Sequence, residues 1–472
     1  MHDPEAPELE RGPGARNMME QGLEVGRAAR REAPGGTLID LPRHQHENRL
    51  TATRDALAAR PPAIYEGAFA AGPAYAEVDL LVRNDYGWTA CEVKASTRAK
   101  PEYLPDLAFQ VHVLRDSGVQ VSRAELVHLN RGSVYPDLSH LFVHEDVTPD
   151  IEAIAFGVPE QIEAQVRALG GALPQVEIGP HCTEPRDCPF ISRCWPPLPP
   201  YHVRNLYRIE PKKVEAYEQD GFTDLRSPPS GLELSLIHQR QVRAVRSGEI
   251  VVEPSLARAL REYHGVLGFL DFETISLALP RFDGCRPWDQ MPVQFSAHVA
   301  RPDGTYAHHE WLADGARDPR TPLARAVVQA CRGVDKVVAY YAGFERECLR
   351  HLARAVPDQA DALEAIAERL LDLLPTIRSH VYHPEFGASF SLKKVLPALI
   401  PALGYGDLEV QDGEQATVEL QRLMFKGDGM PDAERATLRR HLLAYCEQDT
   451  WAMVKLLDRL RGFAAAAQLE LF

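Results

Sequence analysis

The chain contains no apolar run approaching the ~20 residues that a membrane-crossing helix requires, so no membrane association is expected. Cysteine is sparse. Eight in 472 residues do not make a disulfide framework, and a reducing, cytoplasmic setting is the expectation. Positive charge is in deficit: 52 Lys and Arg stand against 67 Asp and Glu, a net charge of −15. That balance argues against a protein that coats nucleic acid through a basic surface, but leaves room for an enzyme with an acidic centre and local basic contacts. The opening Met-His-Asp-Pro-Glu-Ala-Pro-Glu is acidic and lacks the apolar stretch of a secretory signal. There is no internal repeat, no Walker motif and no helicase signature, and Pro34-Gly35-Gly36 is too short for a phosphate loop. ATP use is therefore unsupported.

What is present reads as globular, with 45% hydrophobic and 25% charged residues, and as more than one domain. Residues 1–20 are rich in Pro, Gly and charge and read as a disordered N-terminus. A helical pattern follows at Met18–Arg31, then short strands from Ala63 to Val93, a helix at Asp106–Ser117 and a strand at Val121–Leu129. Another helix covers Glu160–Leu169, with Pro159 as its start signal. A compact cysteine-bearing stretch, His181–Trp195, ends in the proline run 196–200, the clearest boundary in the chain. Residues 201–262 read as a helical connector. From Tyr263 onward, strands (266–271, 292–300, 306–312, 336–340) and helices (321–332, 343–355, and a last one from about Pro431 to Arg461) interleave. Such interleaving indicates an α/β domain with a mixed sheet. Ala464–Ala467 is a low-complexity patch just past the last helix.

The most informative segment is Gly268-Phe-Leu-Asp271-Phe-Glu273-Thr274. An apolar strand pattern ends in two acids spaced i, i+2, which on a strand puts both carboxylates on one face. Carboxylates held together repel unless a cation lies between them, and oxygen ligands suit Mg²⁺ or Mn²⁺. Near the end, Tyr445-Cys-Glu-Gln-Asp449 places a Tyr and an Asp one helical turn apart. This order resembles the DnaQ-like DEDDy 3′–5′ exonucleases of ribonuclease-H-like fold. The resemblance implies a further acid opening a helix after a strand. Glu345, in Ala339-Tyr-Tyr-Ala-Gly-Phe-Glu345, stands where that family usually carries Asp, with Glu347 as the fallback. It also implies two metal ions that activate water at a phosphodiester, with Tyr445 orienting or helping to deprotonate that water.

A second constellation lies upstream. Glu77-Val-Asp79 is followed by Cys91-Glu92-Val-Lys94, and Gln110 follows on a helix. Glu92 and Lys94 share one strand face, while Cys91 and Val93 point to the other, into the core. The plain alternative is a surface ion pair, worth little by itself. The pattern resembles the RecB-like branch of the PD-(D/E)XK nucleases. The resemblance implies that Asp79 and Glu92 bind metal, that Lys94 supplies positive charge at the scissile phosphate, and that Gln110 belongs to the third motif. That motif's trailing Tyr is replaced here by Leu114. Glu66, His44 and His46 are possible auxiliary ligands.

Cys182, Cys188 and Cys194 are spaced C-x5-C-x5-C among prolines. Three cysteines in a turn-rich segment suggest a soft metal or an iron–sulfur cluster. RecB-like nucleases of the AddB and CRISPR-associated kinds carry three cysteines just after the core, which by resemblance implies a [4Fe–4S] cluster. Zn²⁺, with His181 as fourth ligand, is the competitor, and free thiols the plain alternative. His308-His309 and His380-x-x-His383 read as ordinary surface or core histidines. Lys393 and Lys394, opening a helix, could hold a phosphate or be a solvated face.

The whole is expected to be a restriction-endonuclease-like (PD-(D/E)XK) domain at 21–200, the connector, and a ribonuclease-H-like exonuclease domain at 263–472. It resembles a bacterial domain-of-unknown-function family that joins two such units. The expected activity is metal-dependent hydrolysis of DNA, at ends or on single strands, in repair, end processing or defence. RNA processing is one alternative. A nucleic-acid-binding scaffold with one or both sites degenerate is another.

Overall fold

A computed structural model describes residues 5–195 and 197–469. It is a mixed α/β structure whose contacts divide the chain into two compact units. The first comprises Met1–Pro196 and Leu277–Asp289. The second comprises Pro197–Ser276 and Gln290–Phe472. The stretch 201–262 thus belongs to the second unit.

The first unit is built on a six-stranded mixed sheet with strands in sequence order: β1 (Thr37–Leu38), β2 (Ala63–Ala71), β3 (Ala74–Asn84), β4 (Gly87–Lys94), β5 (Val121–Leu129) and β6 (Phe142–Asp146). β1/β2 and β4/β5 are parallel, and the other pairings antiparallel. The β3–β4 turn needs its glycine: Gly87 has φ +130°, and a Cβ there would lie 2.3 Å from the Gln120 carbonyl oxygen. The helix Leu104–Asp116 presents Leu107, Val111 and Leu114 at i, i+4, i+7, all fully buried against Val78, Leu81 and Leu126. The segment 277–289 is fastened by several hydrogen bonds, among them the Tyr135 N–H to the Cys285 carbonyl at 2.9 Å. The Ala278 N–H donates to Gln21 Oε1 at 2.7 Å, and the Trp288 indole N–H to the Ala95 carbonyl at 2.5 Å.

The second unit begins with a small cluster of Val203, Leu206, Val214, Phe222 and Val242 and the short strand β7 (Val251–Val252). Its main sheet holds β8 (Leu267–Ser276), β9 (Gln290–Ala300), β10 (Tyr306–Leu312), β11 (Lys336–Ala339) and β12 (Leu370–Asp372), in the order β10-β9-β8-β11-β12. A last strand, β13 (Val381–Tyr382), pairs with β7. β8 is central, antiparallel to β9 and parallel to β11, which explains its nearly continuous apolar run. Its period of two sorts the side chains. Leu270 and Phe272 join Phe295, Leu323, Leu349 and Leu363 in one core, while Asp271 and Glu273 lie on the opposite face. That opposite face carries the C-terminal helix Asp432–Leu469, where the Gln294 amide donates to the Leu442 carbonyl at 2.8 Å.

Two elements differ from their sequence reading. The first helix spans Pro13–Ala29, so residues 13–20, expected to be disordered, are helical. Pro13 at its first position is preorganised for a helix start, and Val25 and Ala29 are fully buried. The C-terminal helix runs through Ala464–Ala467 instead of ending at Arg461, because alanine has the highest intrinsic helix propensity.

Leu270→Ala removes a fully buried side chain next to Asp271. It should cost roughly 3 kcal/mol, read as a lowered denaturant midpoint for the second unit's transition in urea.

Candidate metal centres

In the second unit, three remote segments bring carboxylates together. Asp271 and Glu273 come from β8, at positions that alternate toward the C-terminal helix. Asp449 lies on that helix, 8% exposed. One oxygen from each of these three residues lies within 4.8 Å of the others. Glu345 enters in the first turn of the helix Ala342–Ala355. It is 2% exposed, and its buried Oε2 has no hydrogen-bond partner. Just before that helix, Tyr341 is exposed and held at φ +73°, a left-handed conformation costly for a non-glycine residue. Its N–H donates to Asp372 Oδ1 at 3.0 Å. Glu347 instead pairs with Arg350 at 3.2 Å.

The electrostatics follow from burial and like charge. Burial, then Asp449, Glu273 and Glu345, pushes the Asp271 carboxyl well above the usual carboxylate range. Burial and Asp449 do the same to Glu273, against the pull of Lys393. Burial raises Glu345 to about 8, assisted by Asp372 and Asp449. Asp449 rises to about 6 by burial, opposed by a hydrogen bond from Tyr405 and by Lys393. The donor set is all oxygen, crowded and short of cations. It fits hard divalent ions.

Around these acids, the Tyr405 hydroxyl donates to Asp449 Oδ1. The Cys446 thiol lies 3.5 Å from Asp271 Oδ2. Tyr445 is buried, and burial together with Asp449 and Glu273 raises its phenol strongly. The Lys393 ammonium sits 5.1 Å from the Tyr445 ring centre and 5.5 Å from that of Tyr405. Sequence reading missed Tyr405 and Cys446. Tyr405 stands in a Gly-rich loop without periodicity, and Cys446 carries no ligand spacing of its own.

In the first unit, Asp79 Oδ2 accepts the Val93 N–H at 2.8 Å. Glu92 Oε1 accepts from the Lys94 ammonium at 2.6 Å, and Oε2 from the Gln110 amide at 2.7 Å. Lys94 also reaches Asp106 at 3.3 Å. Burial, then Glu92, raises Asp79 well above its ordinary range, and burial raises Glu92 despite Lys94. Burial lowers the Lys94 ammonium, but Glu92 and Asp106 outweigh it and hold it up. A cavity of about 520 Å³ opens here, lined by Lys94, Tyr103, Asp106, Phe109 and Arg186 among others. Among the described residues no third metal-ligating side chain joins Asp79 and Glu92 within 4.8 Å. Glu66, held at φ +57°, pairs with Arg30 at 3.1 Å. His46 packs on Tyr75, with ring centres 4.6 Å apart, and His44 is exposed.

Cys182 is buried, Cys188 half-buried and Cys194 exposed. Among the described residues their sulfurs do not gather within 4.8 Å, and as placed they do not fit a shared ion or cluster. Cys91 is fully buried beside Glu125. His380 and His383 hydrogen-bond the backbone at Thr376 and Glu385, respectively.

A family model described as Domain of unknown function (DUF2779) matches residues 268–391. That span holds Asp271, Glu273 and Glu345 and stops before Tyr445 and Asp449. No curated protein matches the chain. Among solved structures, the family B DNA polymerase from the hyperthermophilic archaeon Pyrobaculum calidifontis is similar at 16% identity, over 41% of this chain and 24% of that chain, with a TM-score of 0.29. A likeness that low carries no argument about fold or activity.

The raised acids set a pH dependence in chelator. Glu345 has a folded value of about 8, against an ordinary 4.5. Between these values the folded state holds more protons than the unfolded one, so stability falls as pH rises. The thermal midpoint of the chelated protein should therefore drop from about pH 5 to pH 8. Glu345→Gln should flatten that drop, and a divalent ion should reverse it in the wild type.

Proposed function

We propose that the chain is a metal-dependent nuclease that cleaves phosphodiester bonds of DNA at ends or in single strands. One observation carries this reading: Asp271 and Glu273 from β8 and Asp449 from the C-terminal helix offer oxygens within 4.8 Å of one another, beside the unpartnered Oε2 of Glu345. A folded chain holds buried like charges together at a cost, which divalent cations would remove. Asp271, Glu273, Glu345 and Asp449 would hold Mg²⁺ or Mn²⁺. Bound there, such ions would polarise the phosphodiester and lower the pKa of its attacking water.

The protein's own groups do the rest. Tyr445, held protonated, can donate a hydrogen bond that orients a water but cannot serve as its base at neutral pH. Tyr405 fixes one oxygen of Asp449. Lys393 places a cation beside Tyr405 and Tyr445, where a backbone phosphate could pair with it. This arrangement supports a DnaQ-like, ribonuclease-H-like assignment for the region from 263 onward.

The same reading assigns residues 21–200 to the PD-(D/E)XK class. Asp79 and Glu92 would hold a second metal centre. Lys94, bridging Glu92 and Asp106 on the lining of the cavity, would meet the scissile phosphate, with Gln110 positioning Glu92.

The test compares end-labelled linear, circular single-stranded and RNA substrates, with Mg²⁺ or Mn²⁺. Asp271→Ala should cut end trimming about a thousandfold, several kcal/mol of lost charge stabilisation. Tyr445→Phe should lower kcat about a hundredfold with KM nearly unchanged. Asp79→Ala should remove a separate activity and spare end trimming. RNA cleaved faster than DNA would shift the substrate class, and unchanged cleavage in both alanine variants would sink the reading.

A further inference from the structure

A second group of ligand-type side chains lies on the same face of the second unit's sheet, and the nuclease reading makes no use of it. His298 comes from β9, and His308 from β10, where the two are register partners. Glu447 comes from the C-terminal helix, between Tyr445 and Asp449. A ring nitrogen from each histidine and an oxygen of Glu447 lie within 4.8 Å of one another. His308 Nδ1 is 3.6 Å from Glu447 Oε1.

The imidazoles are oriented by hydroxyls. His298 Nδ1 meets Thr450 Oγ1 at 2.8 Å, and His308 Nε2 meets Ser296 Oγ at 3.0 Å. Ser296 and Thr450 are themselves 2.8 Å apart, and Thr450 also donates to the Glu447 carbonyl at 3.0 Å. Each ring therefore has one nitrogen engaged by a hydroxyl, which leaves Nε2 of His298 and Nδ1 of His308 for an ion. A hydrogen-bond acceptor on the far nitrogen fixes the tautomer and ring orientation of a metal-binding histidine, and here hydroxyl oxygens fill that role. Burial, aided by His308 and His309, holds His298 down at about 4, in the neutral form that binds metal.

We propose that His298, His308 and Glu447 form a transition-metal site, of the Zn²⁺ class, which ties the C-terminal helix to β9 and β10. Two imidazoles and one carboxylate are the ligands of a borderline ion, distinct from the all-oxygen set at Asp271. Three protein ligands leave the fourth position to water. Ligand bonds of about 2.0–2.2 Å require the group to tighten, and Glu447, an exposed side chain, is free to move inward. An ion here clamps Glu447 and Thr450, which flank Asp449 on the helix, onto the sheet.

The test titrates Co²⁺ into the chelator-stripped full chain in excess Mg²⁺, which occupies oxygen-only sites. Wild type should take up one equivalent with the intense visible bands of a low-coordinate ion and no thiolate charge-transfer absorption. Both His308→Ala and Glu447→Gln should abolish those bands. Glu447 is exposed, so its variant keeps the test valid should His308→Ala fail to fold. Ser296→Ala should weaken binding about tenfold, and Asp271→Asn should leave the bands intact, separating this site from the proposed nuclease centre. Zn²⁺ should raise the thermal midpoint of wild type but not of Glu447→Gln. Bands that persist in both ligand variants, bands with thiolate charge transfer, or none in wild type would overturn the proposal.

Discussion

Mutual repulsion among carboxylates organises the second unit. Burial opposes ionisation at all four of Asp271, Glu273, Glu345 and Asp449, and neighbouring acids add to it at the first three. Packing must hold them there. Leu270 and Phe272 anchor β8 from its other face, Leu349 anchors the Glu345 helix, and Gln294 bonds the C-terminal helix to the sheet. Lys393 and the Tyr405 hydroxyl provide partial relief. Protons can occupy the remaining need in the absence of metal, which is why these acids titrate high. Under the proposed function, the same side chains would serve divalent cations as preorganised ligands.

The first unit handles its acids differently. Glu92 is satisfied within the chain, by the Lys94 ammonium on one oxygen and the Gln110 amide on the other, and Asp79 accepts a backbone N–H. The 2.6 Å ion pair lies on an interior strand and Glu92 is buried, unlike a solvated Glu-x-Lys at a sheet edge. The neighbouring cavity, with Lys94 and Arg186 at its walls, distinguishes it from a bare surface pair.

Periodicity made much of the fold legible in the chain. β5 occupies Val121–Leu129 as read, and β10 Tyr306–Leu312 likewise, because Gly, Asn and Asp turn residues bound each run. The helix read at Asp106–Ser117 from its apolar spacing spans Leu104–Asp116. Boundaries set by weaker forces were not visible: Pro13 starts a helix inside a polar stretch because Val25 and Ala29 are buried, and the alanine run extends the last helix. Within the acid cluster, Asp271 and Glu273 were legible from the i, i+2 step on a strand, and Asp449 from the helical turn it shares with Tyr445. Tyr405 was not, since its role depends on a loop reaching a helix 44 residues later.

The sequence by itself determined that acids would share a strand face and a helix face, since those relations are fixed by backbone periods of two and 3.6. It also determined that the chain would be acidic, poor in cysteine and free of long apolar runs. Only tertiary structure decided which of those faces meet. It brought Asp449 to β8 and set His298 against His308 and Glu447. It kept Cys182, Cys188 and Cys194 from gathering despite their regular spacing. Such encounters join residues far apart in the chain, and no local period encodes them; they follow from how the sheet and its helices pack.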